Sequence, residues 1–248
     1  MIANLSIPLL GLVDSAIMGH LESPAYLGAV ALGGMIFNFL FWGLGFLRMG
    51  TTGVIAQAYG QQDAFEIKAI LVRTLLLALL LASLILLSQP AIIALSLQLI
   101  DSTQAIKTLT ETYFTVRIWS SPATLVNYVL IGVFIGLQKT KASLAIIVSP
   151  NLTNIVLDIF LVVILHQGIA GLALATVLSE YTGMITGLFL LRVVLPKNNS
   201  PWPVRTAFSF EKIKYQLKIN NNLFIRTLCL IFSFSFFISQ SAKYGPLI

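Results

Sequence analysis

Residues 7–21 read IPLLGLVDSAIMGHL, and a single carboxylate, Asp14, stands in the middle of this hydrocarbon stretch. With its flanks, from about Ile2 to His20, the segment is long enough to cross a hydrocarbon core of roughly 30 Å as a helix. The rest of the chain has the same character. Of its 248 residues, 57% are hydrophobic and only 10% charged. Soluble domains carry roughly 25% charged residues, and no globular core could bury so much apolar surface. The composition therefore indicates an all-α, multi-span membrane protein, because a membrane barrel needs short alternating segments instead. The net charge of +6 does not point to nucleic acid, since the basic residues fall between apolar segments and report topology. One cysteine, Cys229, excludes an internal disulfide, and with two separated histidines (His20 and His166, both at outer helix ends) a zinc or iron–sulfur site is not expected. No cleavable signal peptide is evident, for the N-terminus lacks a basic region.

Seven apolar segments follow one another: about Ile2–His20, Tyr26–Ala58, Ile67–Leu87 with a continuation to Ile100 at the interface, Tyr113–Leu137, Ala142–Leu165, Gly168–Leu195 and Leu223–Ser241. Lys68, Arg73, Lys139, Lys141, Arg192, Lys197, Arg205, Lys212, Lys214, Lys218 and Arg226 gather on one side, and Lys107, Arg117 and Lys243 on the other. The first side is cytoplasmic by the positive-inside rule. The basic stretch FEKIKYQLKI (210–219) fits an interfacial helix or a solvated linker equally well. No internal repeat is visible. Both ends look clipped for a transporter, as if the chain held one copy of a repeat and the start of a second.

Ionisable residues within membrane segments are functional candidates by default, and Asp14, Arg48, Asp158 and Glu180 stand out. A desolvated carboxylate at the depth of Asp14 can load and release a proton or bind a sodium ion. In NLTNIVLD (151–158), Asn151, Asn154 and Asp158 fall on one helix face after Pro150, which frees a carbonyl and kinks the helix. Thr176 and Glu180 are one turn apart in segment six, and Asn127 with Tyr128 follows Pro122 in segment four. These line a cavity or act as polar glue between helices. Arg48 reads as a snorkelling side chain. Gly132 with Gly136, and Gly183 with Gly187, have the spacing of close helix contacts.

PLLGLVDSAIMGHLESPAYLGAVALG resembles the first two helices of the multidrug and toxic compound extrusion (MATE) family. FLRMGTTGVIAQAYGQQD, GLALATVLSEYTG and FIRTLCLIFSFSFFISQSAKYG are similar to the end of helix two, helix six and helix seven of its DinF-like (DNA-damage-inducible) branch, and NLTNIVLD to its helix-five Asn-x-x-x-Asp element. The resemblance implies a six-helix MATE-type N-lobe over residues 1–195, a cytoplasmic inter-lobe linker over 196–222, and over 223–248 a seventh helix that begins the C-lobe. It implies a multi-pass protein of the bacterial inner (plasma) membrane that exports drugs or toxic organic compounds, cationic ones among them, in exchange for H+ or Na+, with no cofactor. It assigns Asp14, Asp158 and Asn154 to cation coupling, and Asn151, Asn127, Thr176 and Glu180 more weakly to the cavity lining. Alternating access needs two lobes, so the expected fragment is inactive without the C-lobe. The alternatives are a flippase for lipid-linked precursors, which would want a more cationic cavity, and a membrane-inserted fragment without function. An intramembrane aspartyl protease is set aside. Its two carboxylates must approach within about 3 Å, and the second would sit in Gly-x-Gly-Asp where this chain has Ile-Val-Leu-Asp.

Overall fold

A computed structural model describes residues 24–99, 102–195 and 210–243, all helix and short turns. Asp14 and His20 lie outside the described residues. Five described stretches are long and apolar enough to cross a membrane: Pro24–Gly60, Ala64–Leu87, Gln104–Gly136, Thr140–Ile164 and Gly168–Val194. A few residues join the first span to the second, the third to the fourth and the fourth to the fifth, whereas residues 88–103 separate the second from the third.

The second apolar segment is two helices rather than one, α1 (Pro24–Gly43) and α2 (Phe46–Gly60). At WGLG the Leu44 and Gly45 N–H groups bond back three residues, to Phe41 O and Trp42 O, and the regular four-residue ladder is interrupted there. Helix α3 (Ala64–Leu87) starts at an N-cap, where the Asp63 carboxylate accepts from the Glu66 N–H at 2.9 Å. The continuation beyond it is a separate helix, α4 (Gln89–Leu99), with Pro90 in its first turn, where a missing N–H costs nothing.

The fourth span begins earlier than its apolar run suggests. Helix α5 (Gln104–Arg117) passes through a 3-10 turn, Ile118–Ser120, into α6 (Ser121–Gly136). Arg117, counted by sequence among the outer-side charges, is therefore thirteen residues inside a continuous span. Thr110, Tyr113 and Phe114 form the buried stripe of α5. Phe114 stacks on Phe37 of α1 at 5.0 Å between centroids, and the Tyr113 ring occupies the place where a Cβ on Gly33 would lie. Nearly every residue of α6 is buried, which marks a helix enclosed by others. It packs against α2, α3, α7 (Thr140–Asp158) and α8 (Gly168–Val194). A π-helical segment, Ile159–Ile164, extends α7.

Helix α9 (Phe210–Lys243) is one continuous helix across the basic stretch and the seventh apolar segment. Its buried residues Gln216, Asn220 and Thr227 recur at helical spacing and face α2. Asn220 Oδ1 rests against Gly50, and Phe224 meets Phe46 edge to face at 5.6 Å. Below this seam Glu66 bonds Arg73 at 2.5 Å and also Lys212. The Arg73 side chain is 7% exposed, whereas Lys212 is half exposed at 49%. Removing one partner from a buried pair leaves an uncompensated charge and costs about 3–5 kcal/mol, while an exposed pair contributes about 0–1 kcal/mol. Glu66→Gln is therefore expected to lower the unfolding temperature clearly in a detergent melt, and Lys212→Ala to leave it nearly unchanged. Equal effects would show that Arg73 does not depend on Glu66.

Candidate cation site

Helix α7 runs through Pro150 without ending. The ring removes the hydrogen bond to the Ile146 carbonyl one turn back, and that oxygen faces α8 at Gly183, where a Cβ would lie 3.4 Å from it and 3.1 Å from Pro150 Cγ. Glycine at 183 thus lets α8 approach α7 where the ladder is open. One turn further along, Asn154 and Asp158 are both buried, at 2% and 0% exposure. With its Nδ2 turned toward the carboxylate, Asn154 donates to Asp158 Oδ2 at 3.0 Å and accepts from the Thr176 N–H of α8 at 3.3 Å. Asp158 and Asn154, two of the three residues expected for cation coupling, are thus contiguous, with Thr176, expected in the cavity lining, beside them. Asn151 sits on the same helix, half-buried, with an Nδ2 that finds no acceptor among the described residues. The π-helical segment starts at the residue after Asp158. A π segment widens the helix and often marks functional positions.

A second carboxylate–amide pair lies next to the first. Asn127 of α6 is buried, and its Nδ2 donates to Glu180 Oε2 and to the Glu180 backbone carbonyl, each at 3.0 Å. Thr124, one turn before, brings its hydroxyl close to the same carboxylate. Tyr128 is within electrostatic reach of Glu180 and of Arg48 from α2. Thr176 and Glu180 are one turn apart on α8, so the two pairs are neighbours along that helix. Asp14, the third residue expected for cation coupling, lies outside the described residues.

Two participants escape the sequence reading. Arg117 donates to Tyr113 Oη at 2.6 Å, and its guanidinium lies 4.7 Å from the centre of the Phe37 ring. It acts on Glu180 at longer range. The stripe of Thr110, Tyr113, Phe114 and Arg117, spaced i, i+3, i+4 and i+7, was the available signal. Thr124 is the other, and nothing local distinguishes it from a threonine bonding its own helix. His166 falls in the exposed turn before α8, at φ 51°.

The MatE family model matches residues 1–160. The chain is 40% identical to the DNA damage-inducible protein F of Escherichia coli over 98% of its own length and 53% of that protein's. It is 29% identical to the multidrug and toxin extrusion protein 1 of the rabbit, Oryctolagus cuniculus, over 77% of its length and 34% of the relative's. A solved multidrug resistance MATE family transporter of the MOP superfamily, in its outward-facing conformation, superposes with a TM-score of 0.83 at 25% identity. That match covers 99% of this chain and 54% of the transporter. The chain thus spans about half the length of the first curated relatives it matches. A helical, multi-pass lobe, a family model over more than half the sequence and close agreement with half of a solved transporter place this chain in the MatE family of multidrug and toxic compound extrusion proteins.

Proposed function

We propose that the chain is the N-terminal lobe of a secondary antiporter of the bacterial inner membrane, exporting drugs or other toxic organic compounds in exchange for protons or sodium. The observation that carries this reading is the fully buried Asp158, held by Asn154 against α8 inside an apolar bundle. A charge at that depth is costly and is retained where it binds and releases a cation. Asp14 of the first segment is the second coupling carboxylate in this reading, with Asn127, Asn151, Thr176 and Glu180 lining the cavity. Loading Asp14 removes a charge from the membrane interior, which changes the cavity and releases substrate outward. Transport requires a second lobe against which this one rocks, so these 248 residues are inactive by themselves. The chain's task is transport and not catalysis.

The test is Asp14→Asn in the complete protein. Dye efflux driven by an ion gradient in membrane vesicles should fall to background, with the amount of protein in the membrane unchanged. Efflux at the unmodified rate would overturn the reading.

A further inference from the structure

We infer that Glu180, with Asn127 and Thr124, forms a second site for a small monovalent cation, a proton or a sodium ion, adjacent to but separate from the Asp158–Asn154 pair. The inference rests on the proposed antiport and assigns part of its ion load to a different carboxylate. Glu180 is close to the middle of α8, and so at mid-depth in the membrane. Asn127, which donates to it, and the nearby hydroxyl of Thr124 are both neutral. They fix the carboxylate without cancelling its charge.

The charged groups around it come from each packed helix. Helix α5 brings Arg117, which is engaged by Tyr113 and the Phe37 ring. Helix α6 brings Tyr128, α2 brings Arg48 beside Tyr128, and α7 brings Asp158 with its own amide partner. No described Lys, Arg or His forms an ion pair with Glu180; the ion pairs among the described residues are those of Glu66. A carboxylate at this depth without a direct counter-charge takes up a cation or a proton.

The second observation is independent of Glu180. Asn127 is 5% exposed, and its Oδ1 meets no hydrogen-bond donor among the described residues. A buried amide oxygen is costly to leave unmatched. Because the Nδ2 of the same amide is fixed on Glu180, this oxygen lies in the immediate neighbourhood of the carboxylate. Carboxylate, amide and hydroxyl oxygens together are the hard donor set that coupling ions use in membrane transporters. The competing role is polar glue between α6 and α8, which predicts no ion dependence.

The experiment counts cations on the purified complete protein. One arm measures equilibrium binding of radioactive sodium. The other measures protons released into weakly buffered solution when tetraphenylphosphonium is added. Glu180→Gln should lose part of the wild-type count in whichever arm carries the signal, and Asp158→Asn should lose a separate part. Thr124→Val, nearly isosteric, guards against a folding artefact and should weaken cation binding about fivefold while the count is unchanged, the loss of one hydrogen-bonding oxygen. A full count in Glu180→Gln, or unchanged affinity in a folded Thr124→Val when Glu180→Gln does not fold, overturns the inference and leaves the Asp158 reading standing. A full count in Asp158→Asn with a reduced one in Glu180→Gln overturns the Asp158 assignment instead. No cation bound by the wild type in either arm overturns both.

Discussion

In the complete protein, Asp158→Asn is expected to reduce ion-driven efflux by about 100-fold or more while changing the unfolding temperature by no more than a few degrees. The asymmetry follows from the local geometry. The substitution keeps the shape of the side chain and removes only its charge. The new amide can turn its oxygen toward Asn154 Nδ2, because both orientations of a primary amide occupy the same volume, and Asn154 keeps its bond from the Thr176 N–H. The hydrogen bond that ties the site together survives, and no cavity opens in a position with 0% exposure. What is lost is the anion. A hydrogen-bonded or coordinating contact to a charged group is worth about 1.5–3 kcal/mol, and each 1.4 kcal/mol is tenfold, so the affinity for a coupling cation falls by one to two decades at this site alone. Coupled transport multiplies that loss, because a lobe that cannot load its ion does not complete the cycle. Efflux within a few-fold of wild type, at equal protein in the membrane, would show that Asp158 is a structural partner of Asn154 and nothing more. Asp158→Leu is the opposite control. It leaves the Asn154 amide buried without its partner and should lose both stability and efflux.

Much of this site was legible in the sequence because its spacing is local. Asn154 and Asp158 are four residues apart, so a helix puts them on one face without any knowledge of the fold. Thr176 and Glu180 are legible for the same reason. The contacts between helices were not. Asn127 and Glu180 are 53 residues apart in sequence, and nothing around either residue specifies the other. The π segment after Asp158 was also hidden, since IFLVVI reads as any apolar helix. Helix α5 was missed for a physical reason: QAIKTLTETYFTVR is polar on average, and a hydropathy reading places it outside the membrane. Its buried stripe works through shape, Tyr113 against Gly33 and Phe114 against Phe37, in a medium where burial of apolar surface between helices adds little. The break between α1 and α2 had a visible signal in Gly43 and Gly45, which the continuous apolar run concealed.

The small-residue spacing Gly132-x-x-x-Gly136 leads to the largest expected effect on folding: Gly136→Leu should abolish recovery of a monodisperse protein. A Cβ built on Gly136 would lie 2.7 Å from Ile55 Cγ2 and 2.9 Å from the Thr52 carbonyl oxygen of α2. A Cβ on Gly132 would lie 2.7 Å from the Arg48 carbonyl oxygen. The obstructing atoms include helix backbone, which cannot rotate aside as a flexible side chain does. Relief therefore requires α2 to move off α6 as a body. That movement would also separate α2 from its seam with α9 at Gly50 and Asn220. In a bilayer no gain from hiding apolar surface compensates for lost helix packing, because lipid tails are as apolar as the partner helix. Overpacking costs about 1–3 kcal/mol where side chains can yield, and a clash with backbone lies at or above the top of that range. Such a loss is comparable to a large part of a stability of roughly 5–15 kcal/mol. Gly53→Ala on α2 is the matched control, since a Cβ there meets nothing within 4 Å. It replaces a poor helix former with the best one and should be neutral or stabilising by up to about 1 kcal/mol. Size-exclusion profiles and melting temperatures in detergent read both variants directly. If Gly136→Leu elutes and melts like Gly53→Ala, the close approach of α2 and α6 is not what holds this lobe together, and the positions of Arg48 and Tyr128 near Glu180 would have to be set by other contacts.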